Sequence, residues 1–244
     1  MLTNLFDSIR RSYFPLHMSK DIEPVLEQYN TYYSNLSPEN KHTFRRRVMI
    51  ASATLDFTPN NFPQVTKEMM VLITSALVQI TFGLNNFKIS RFRKVIVVPF
   101  NYNFLHFHNL MGHVDYTERC IVLSWPSVKE GYVIPDDAMN VALHELAHAL
   151  QEENRFRILY NKFFEDSKMA AWKSIAAKKL QVIRAGENEF MKDYGGINML
   201  EMFSVSIETF FEQGPDFQEK LPELYGTVAE LLNQDPLKGK DPVL

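Results

Sequence analysis

Val141-Ala142-Leu143-His144-Glu145-Leu146-Ala147-His148-Ala149-Leu150-Gln151 decides how this chain is read. Apolar residues at Met139, Ala142, Leu143, Leu146, Ala149 and Leu150 recur at the three-and-four spacing of a helix with one buried face. His144 and His148 therefore lie one turn apart on a common face, their Cβ atoms about 6 Å from each other, so both imidazoles can reach one metal ion. Glu145 stands beside them, about 100° round the axis. Two neutral imidazoles suit zinc, and an adjacent carboxylate that is not a ligand can take a proton from a metal-bound water. The pattern predicts a zinc hydrolase. A core helix with two ordinary hydrogen-bonded histidines would match the same positions, but the helical context and the histidines' place opposite the apolar stripe favour the metal.

Composition bounds the rest. The chain has 244 residues, 45% of them hydrophobic, enough for one main domain around one core. A net charge of -3 with mixed signs leaves no basic footprint, which speaks against direct nucleic-acid binding. The single cysteine, Cys120, rules out an internal disulfide and a multi-thiolate zinc site, so the ligands must be histidine and carboxylate. The N-terminal residues carry Asp7 early and no unbroken apolar run, a poor signal peptide. The apolar block Met69 to Phe82, interrupted by Thr74, Ser75, Gln79 and Thr81, is shorter than the ~20 residues that span a bilayer. A cytoplasmic protein without a transmembrane segment is the expectation.

Outward from the zinc helix, the spacing of Leu2, Leu5, Phe6, Ile9 and Tyr13 predicts an amphipathic helix docked on the body, ended by Pro15. A short helix from Ser19 to Asn30 follows, and Ser37-Pro38 opens another that runs to about Leu55. Asp56 to Gln64 reads as a loop, and the apolar block as a buried helix ending at Gly83. Arg93 to Pro99 and Cys120 to Trp125 read as strands of an antiparallel sheet packed on the zinc helix. Between them, His106, His108 and His113 read as loop histidines. The stretch from Gln234 to Pro242 has the composition of a frayed tail. The division expected is a helical extension over 1–35, a catalytic domain over 36–232 and a tail over 233–244.

A catalytic zinc takes three protein ligands and keeps a fourth position open. The longer motif that supplies a third histidine fails here, because Gln151 stands where glycine is wanted and Asn154 where histidine is wanted. Glu165 is one candidate. Glu201 is the better one: Gly195-Gly196 makes a turn, Asn198 caps a new helix, and Glu201 falls in its first turn. Glu201 could equally be the glutamate of an Asn-x-x-Glu capping box. Glu208, about 10 Å further along the same face, cannot share one zinc with it.

The residues His144 to His148, with Tyr194 and the run Glu201-Met202-Phe203-Ser204-Val205-Ser206-Ile207-Glu208, resemble the Mlc titration factor A (MtfA) zinc peptidases, which in turn resemble the zinc domain of anthrax lethal factor. In that family a tyrosine stands seven residues before the ligand glutamate and a second glutamate seven after it, the spacing of Tyr194, Glu201 and Glu208. The resemblance spans roughly residues 40 to 232. The linker before Tyr194 is shorter than in proteobacterial members, and the first 35 residues match nothing specific.

The resemblance implies an α+β, zincin-like metallopeptidase, mostly helical with a small mainly antiparallel sheet and added N-terminal helices. It also implies a zinc-dependent peptidase of the gluzincin type, aminopeptidase-like on small substrates, with one Zn²⁺ per chain held by His144, His148 and Glu201. Glu145 would activate the water, Tyr194 would stabilise the oxyanion, and Glu208 would orient a ligand histidine. A peptide substrate could add to the edge of the strand ending Leu123-Ser124-Trp125. The family name brings one further candidate partner, an Mlc-like transcriptional repressor. The competing readings are a regulator-binding protein that sequesters a transcription factor, its zinc site vestigial or structural, and an unrelated zincin that uses Glu165.

Overall fold

The apolar block is the spine of the molecule. In the computed structural model, which describes residues 22–244 except 62, 106, 159, 160 and 189, it forms α4 (Lys67–Ile80), capped by the Thr66 hydroxyl and buried from Val71 through Ile80. Residues 22–29 (α1), Thr31–Ser34 (α2) and Pro38–Ser52 (α3) precede it. Ser37 caps α3 as expected, with Pro38 at its start. The docked helix expected over residues 2–14 lies outside the described residues, as does His106.

The remaining helices are α5 (Trp125–Val133), α6 (Val141–Arg155), α7 (Asp166–Arg184), α8 (Met199–Glu212), α9 (Gly214–Lys220) and α10 (Pro222–Leu232). The zinc helix of the sequence is α6, packed against α4, α5, α8 and the sheet. The α+β class is therefore borne out, mostly helical with a small sheet. Among the described residues no helix is long and apolar enough to cross a membrane.

That sheet is mixed, where a mainly antiparallel one is expected. Its order is β1-β2-β6-β5, with β1 (Asp56–Pro59) parallel to β2 (Lys94–Val98), β2 parallel to β6 (Cys120–Ser124), and only β5 (Gly112–Asp115) antiparallel to β6. Connectivity explains this. The whole of α4 crosses over between β1 and β2, which permits parallel pairing, whereas residues 116–119 turn tightly between β5 and β6 and force antiparallel pairing. The Asp115 carboxylate fixes that turn by accepting from the Thr117 and Glu118 amides.

Four smaller expectations change. Asp56–Pro59 is an edge strand rather than loop, a place where a proline removes no pairing bond. Trp125 starts α5 instead of ending β6, because Pro126 is favoured in a first helical turn. The segment around His108 is a separate hairpin, β3 (Tyr102–Phe104) with β4 (Phe107–Leu110). The C-terminal stretch is tied down: the Gln234 amide donates to the Gln79 and Ile80 carbonyls at the open end of α4, and Lys240 O accepts from Ser37 N.

Candidate metal centre

Asn140 starts the site. Its side chain accepts from Leu143 N at 3.1 Å and so caps α6, which sets the face on which His144 and His148 emerge. The second half arrives on α8. Asn198 caps that helix through the Leu200 and Glu201 amides, and buried Gly196 lets the preceding turn pass α7, since a Cβ there would lie 2.6 Å from Ile183 Cγ2. Packing of α8 against α6 then brings Glu201 over the two imidazoles.

Among the described residues, His144, His148 and Glu201 form a group whose ligand atoms all lie within 4.8 Å of one another. The contacts are closer than that bound: His144 Nε2 to His148 Nε2 is 3.1 Å, and Glu201 Oε2 is 3.1 Å from the first and 3.2 Å from the second. Tetrahedral ligands about 2.05 Å from a zinc ion lie about 3.3 Å apart, so this triangle has the edge of a first coordination shell. The field agrees. Burial alone would push the His144 imidazole down, but Glu201 and Glu208 raise it to about 10. Burial alone would raise Glu201, but the two histidines hold it down at about 2. The raised imidazole marks a site with surplus negative charge, which a divalent cation would offset, and the lowered carboxyl keeps Glu201 ionised as a ligand must be.

The structure places Glu145 and Glu208 next to this group. Glu145 is 7% exposed, outside the ligand triangle, and burial raises its carboxyl. Glu208 Oε2 is 3.0 Å from His144 Nδ1, its other oxygen accepts from Asn140 N at 3.0 Å, and Lys192 Nζ stands 3.6 Å away. Tyr194, half exposed, sets its ring 5.8 Å from that of His144. Burial first, then Glu201, Glu145 and Glu208, raise its phenol to about 12.

Other residues go elsewhere. Glu165 is exposed at the N-cap of α7, 3.7 Å from Lys168, and lies outside the cluster. Asn154, where a third histidine would fall, instead accepts from the Phe163 and Phe164 amides and shapes the turn after α6. His113 bonds Tyr102 at 2.6 Å and stacks on Phe104. His108 is exposed on β4.

The strand chosen for substrate addition is wrong in detail: β6 lies between β2 and β5 and has no free edge. The edge strand beside α6 is β5, its face so close to the helix that a Cβ on Gly112 would lie 2.8 Å from Glu145 Cγ. Sequence reasoning missed Asn140, Lys192, Gly112 and Tyr116, the last raised by burial and by Glu145 and Glu201. Only Asn140, as the polar residue before a helical run, carries a signal that could have found it.

Fold and site together define an α+β protein with a two-histidine, one-glutamate group that could hold a metal ion, and a neighbouring glutamate outside it. The chain belongs to the glucose-regulated metallo-peptidase M90 family, whose model matches residues 8–232. That match bears out the resemblance read from residues 144–148 and 194–208 and carries it back toward the N-terminus. The chain is 23% identical to Uncharacterized protein slr2042 of Synechocystis sp. over 231 residues, 88% of this chain and 84% of that one. It is 27% identical over 124 residues to Mlc titration factor A of Escherichia coli and of Shigella flexneri, an alignment spanning 48% of this chain and 46% of theirs.

Proposed function

We propose that the chain is a zinc-dependent peptidase of the gluzincin type in which His144, His148 and Glu201 hold one Zn²⁺. The observation that carries this reading is the meeting of three ligand atoms at 3.1 to 3.2 Å beside a buried carboxylate that joins none of them. Zinc, when bound, would supply a Lewis acid that polarises the scissile carbonyl and acidifies water.

The chain's own residues do the rest. Glu145 accepts a proton from the attacking water and passes it to the departing amine, and the rise that burial gives its carboxyl suits both transfers. Tyr194, held protonated by its raised pKa, donates a hydrogen bond to the carbonyl oxygen as negative charge grows there. Glu208 accepts the Nδ1 proton of His144, which leaves the Nε2 lone pair turned toward the other ligands. An extended peptide adds to β5, whose outer edge pairs with no other strand among the described residues.

Zinc content by mass spectrometry on wild type and Glu201→Ala, with hydrolysis of a mixed peptide library, tests this. One zinc per chain, lost in the variant, with cleavage that a chelator abolishes, is the expected result; stepwise loss of N-terminal residues would mark an aminopeptidase. The name of the Escherichia coli relative supports a second role, capture of an Mlc-like repressor in the cytoplasm. Zinc bound without cleavage, together with repressor affinity that survives Glu145→Gln, would make that role the function.

A further inference from the structure

Across Asn140 from the metal cluster lies a cavity of about 300 Å³, at the lower end of the ~300–1,000 Å³ range of small-molecule sites. It forms where α1, α2, the end of α5 and the end of α8 converge. Among the described residues its wall holds two acids, Asp136 and Glu212, and no lysine, arginine or histidine. Five aromatic residues, Tyr29, Tyr32, Tyr132, Phe210 and Phe211, line it as well. Two of the tyrosines have committed their hydroxyls elsewhere, Tyr32 to Gln234 at 2.6 Å and Tyr132 to Leu72 O at 2.7 Å, so rings are what they offer the cavity.

Glu212 carries the argument. Its Oε1 accepts from Asn140 Nδ2 at 3.2 Å, while its Oε2 is buried with no partner among the described residues. A buried carboxylate oxygen without a donor is costly, and the group that relieves it best is a charged N–H. Aromatic faces attract the same kind of ligand, a cation with an apolar stem. Burial, with Asp137 and Glu208 nearby, raises the Glu212 carboxyl, which marks a place where positive charge is missing.

We propose that this cavity binds a small organic cation, a primary alkylammonium or a guanidinium compound, at a site separate from the metal cleft. The ammonium or guanidinium group donates to Glu212 Oε2, and its alkyl stem lies among the rings. The proposal does not depend on the peptidase reading, so failure of either leaves the other standing.

Isothermal titration of the full chain with n-butylammonium and n-butylguanidinium, and with n-butanol as the neutral control, tests it. The expected result is saturable one-to-one binding of at least one cation, none of butanol, and an affinity about tenfold weaker in Glu212→Gln. Absence of saturable heat from both cations at millimolar concentration would overturn the proposal, as would equal affinity in Glu212→Gln, which would put the cation among the carboxylates of the metal cleft. Should Glu212→Gln melt abnormally, Asp136→Asn at the exposed rim serves as the second variant, with weakened binding expected and unchanged binding counting against the site.

Discussion

Glu145 and Glu153 lie two turns apart on α6, both buried at 7% and 0% exposure, and they are opposites. Glu153 is saturated: Ser90 N donates at 2.8 Å, Arg91 N at 2.9 Å and Arg157 at 3.1 Å, with the Ser90 hydroxyl added. Burial would raise its carboxyl, yet these donors hold it below the ordinary range. Glu145 receives no hydrogen bond among the described residues, and burial raises it. One helix thus carries a buried acid whose every need is met and another left reactive beside two imidazoles. The first is scaffold, pinning the loop before β2 to the end of α6; the second is the residue to which the proposed function gives the chemistry.

The comparison breaks most visibly at Glu145. Glu145→Gln keeps the side chain's shape and removes its basicity, so peptide turnover should fall by about 10²- to 10⁴-fold while metal content and melting temperature hold. Glu153→Gln should do the reverse. It places an amide among donors that need an acceptor, at a cost of about 3–5 kcal/mol in urea unfolding, with specific activity of the folded fraction unchanged. A Glu153→Gln protein of normal stability and lost activity would refute the division of labour.

Tyr194→Phe is a smaller change on the reactive side. The ring stays against His144, and only the hydroxyl goes. A fall of about 10- to 100-fold in kcat with zinc still bound is expected. Unchanged turnover would remove the role proposed for it.

How much of this was legible beforehand follows from how local each feature is. The α6 stripe, the Gly195-Gly196 turn and the Asn198 cap are short-range patterns, so the helices bearing His144, His148 and Glu201 could be read directly from residue spacing. The sheet could not. β1 and β5 are four residues each, Asp-Phe-Thr-Pro and Gly-His-Val-Asp, too short for alternation to show, and which strand takes the edge depends on pairings across distant segments. The tail misled for a related reason: its composition is that of a loose end, but Gln234 donates to the Gln79 and Ile80 carbonyls at the end of α4, a contact made across distant segments. The cavity beside Glu212 is assembled from five separate stretches and leaves no trace in any one of them.

Glu212 stands between the two acids of α6, half satisfied by Asn140, and sharpens the comparison by its titration. Its folded pKa is raised to about 8, against about 4.3 for an ordinary glutamate. The folded state therefore holds this proton more tightly than the unfolded chain, so the group's contribution is complete below about pH 4.3 and is lost as pH climbs through about 8. Glu212→Gln stays neutral throughout. The melting temperature of the variant minus that of wild type should accordingly grow more positive from pH 5 to 8 and level off above, all other titrations cancelling in the difference. Calorimetry on the paired proteins measures it. A difference that does not vary with pH would mean that Glu212 is ionised as readily folded as unfolded, and a single bond from Asn140 would then suffice to move a buried acid from the Glu145 class to that of Glu153.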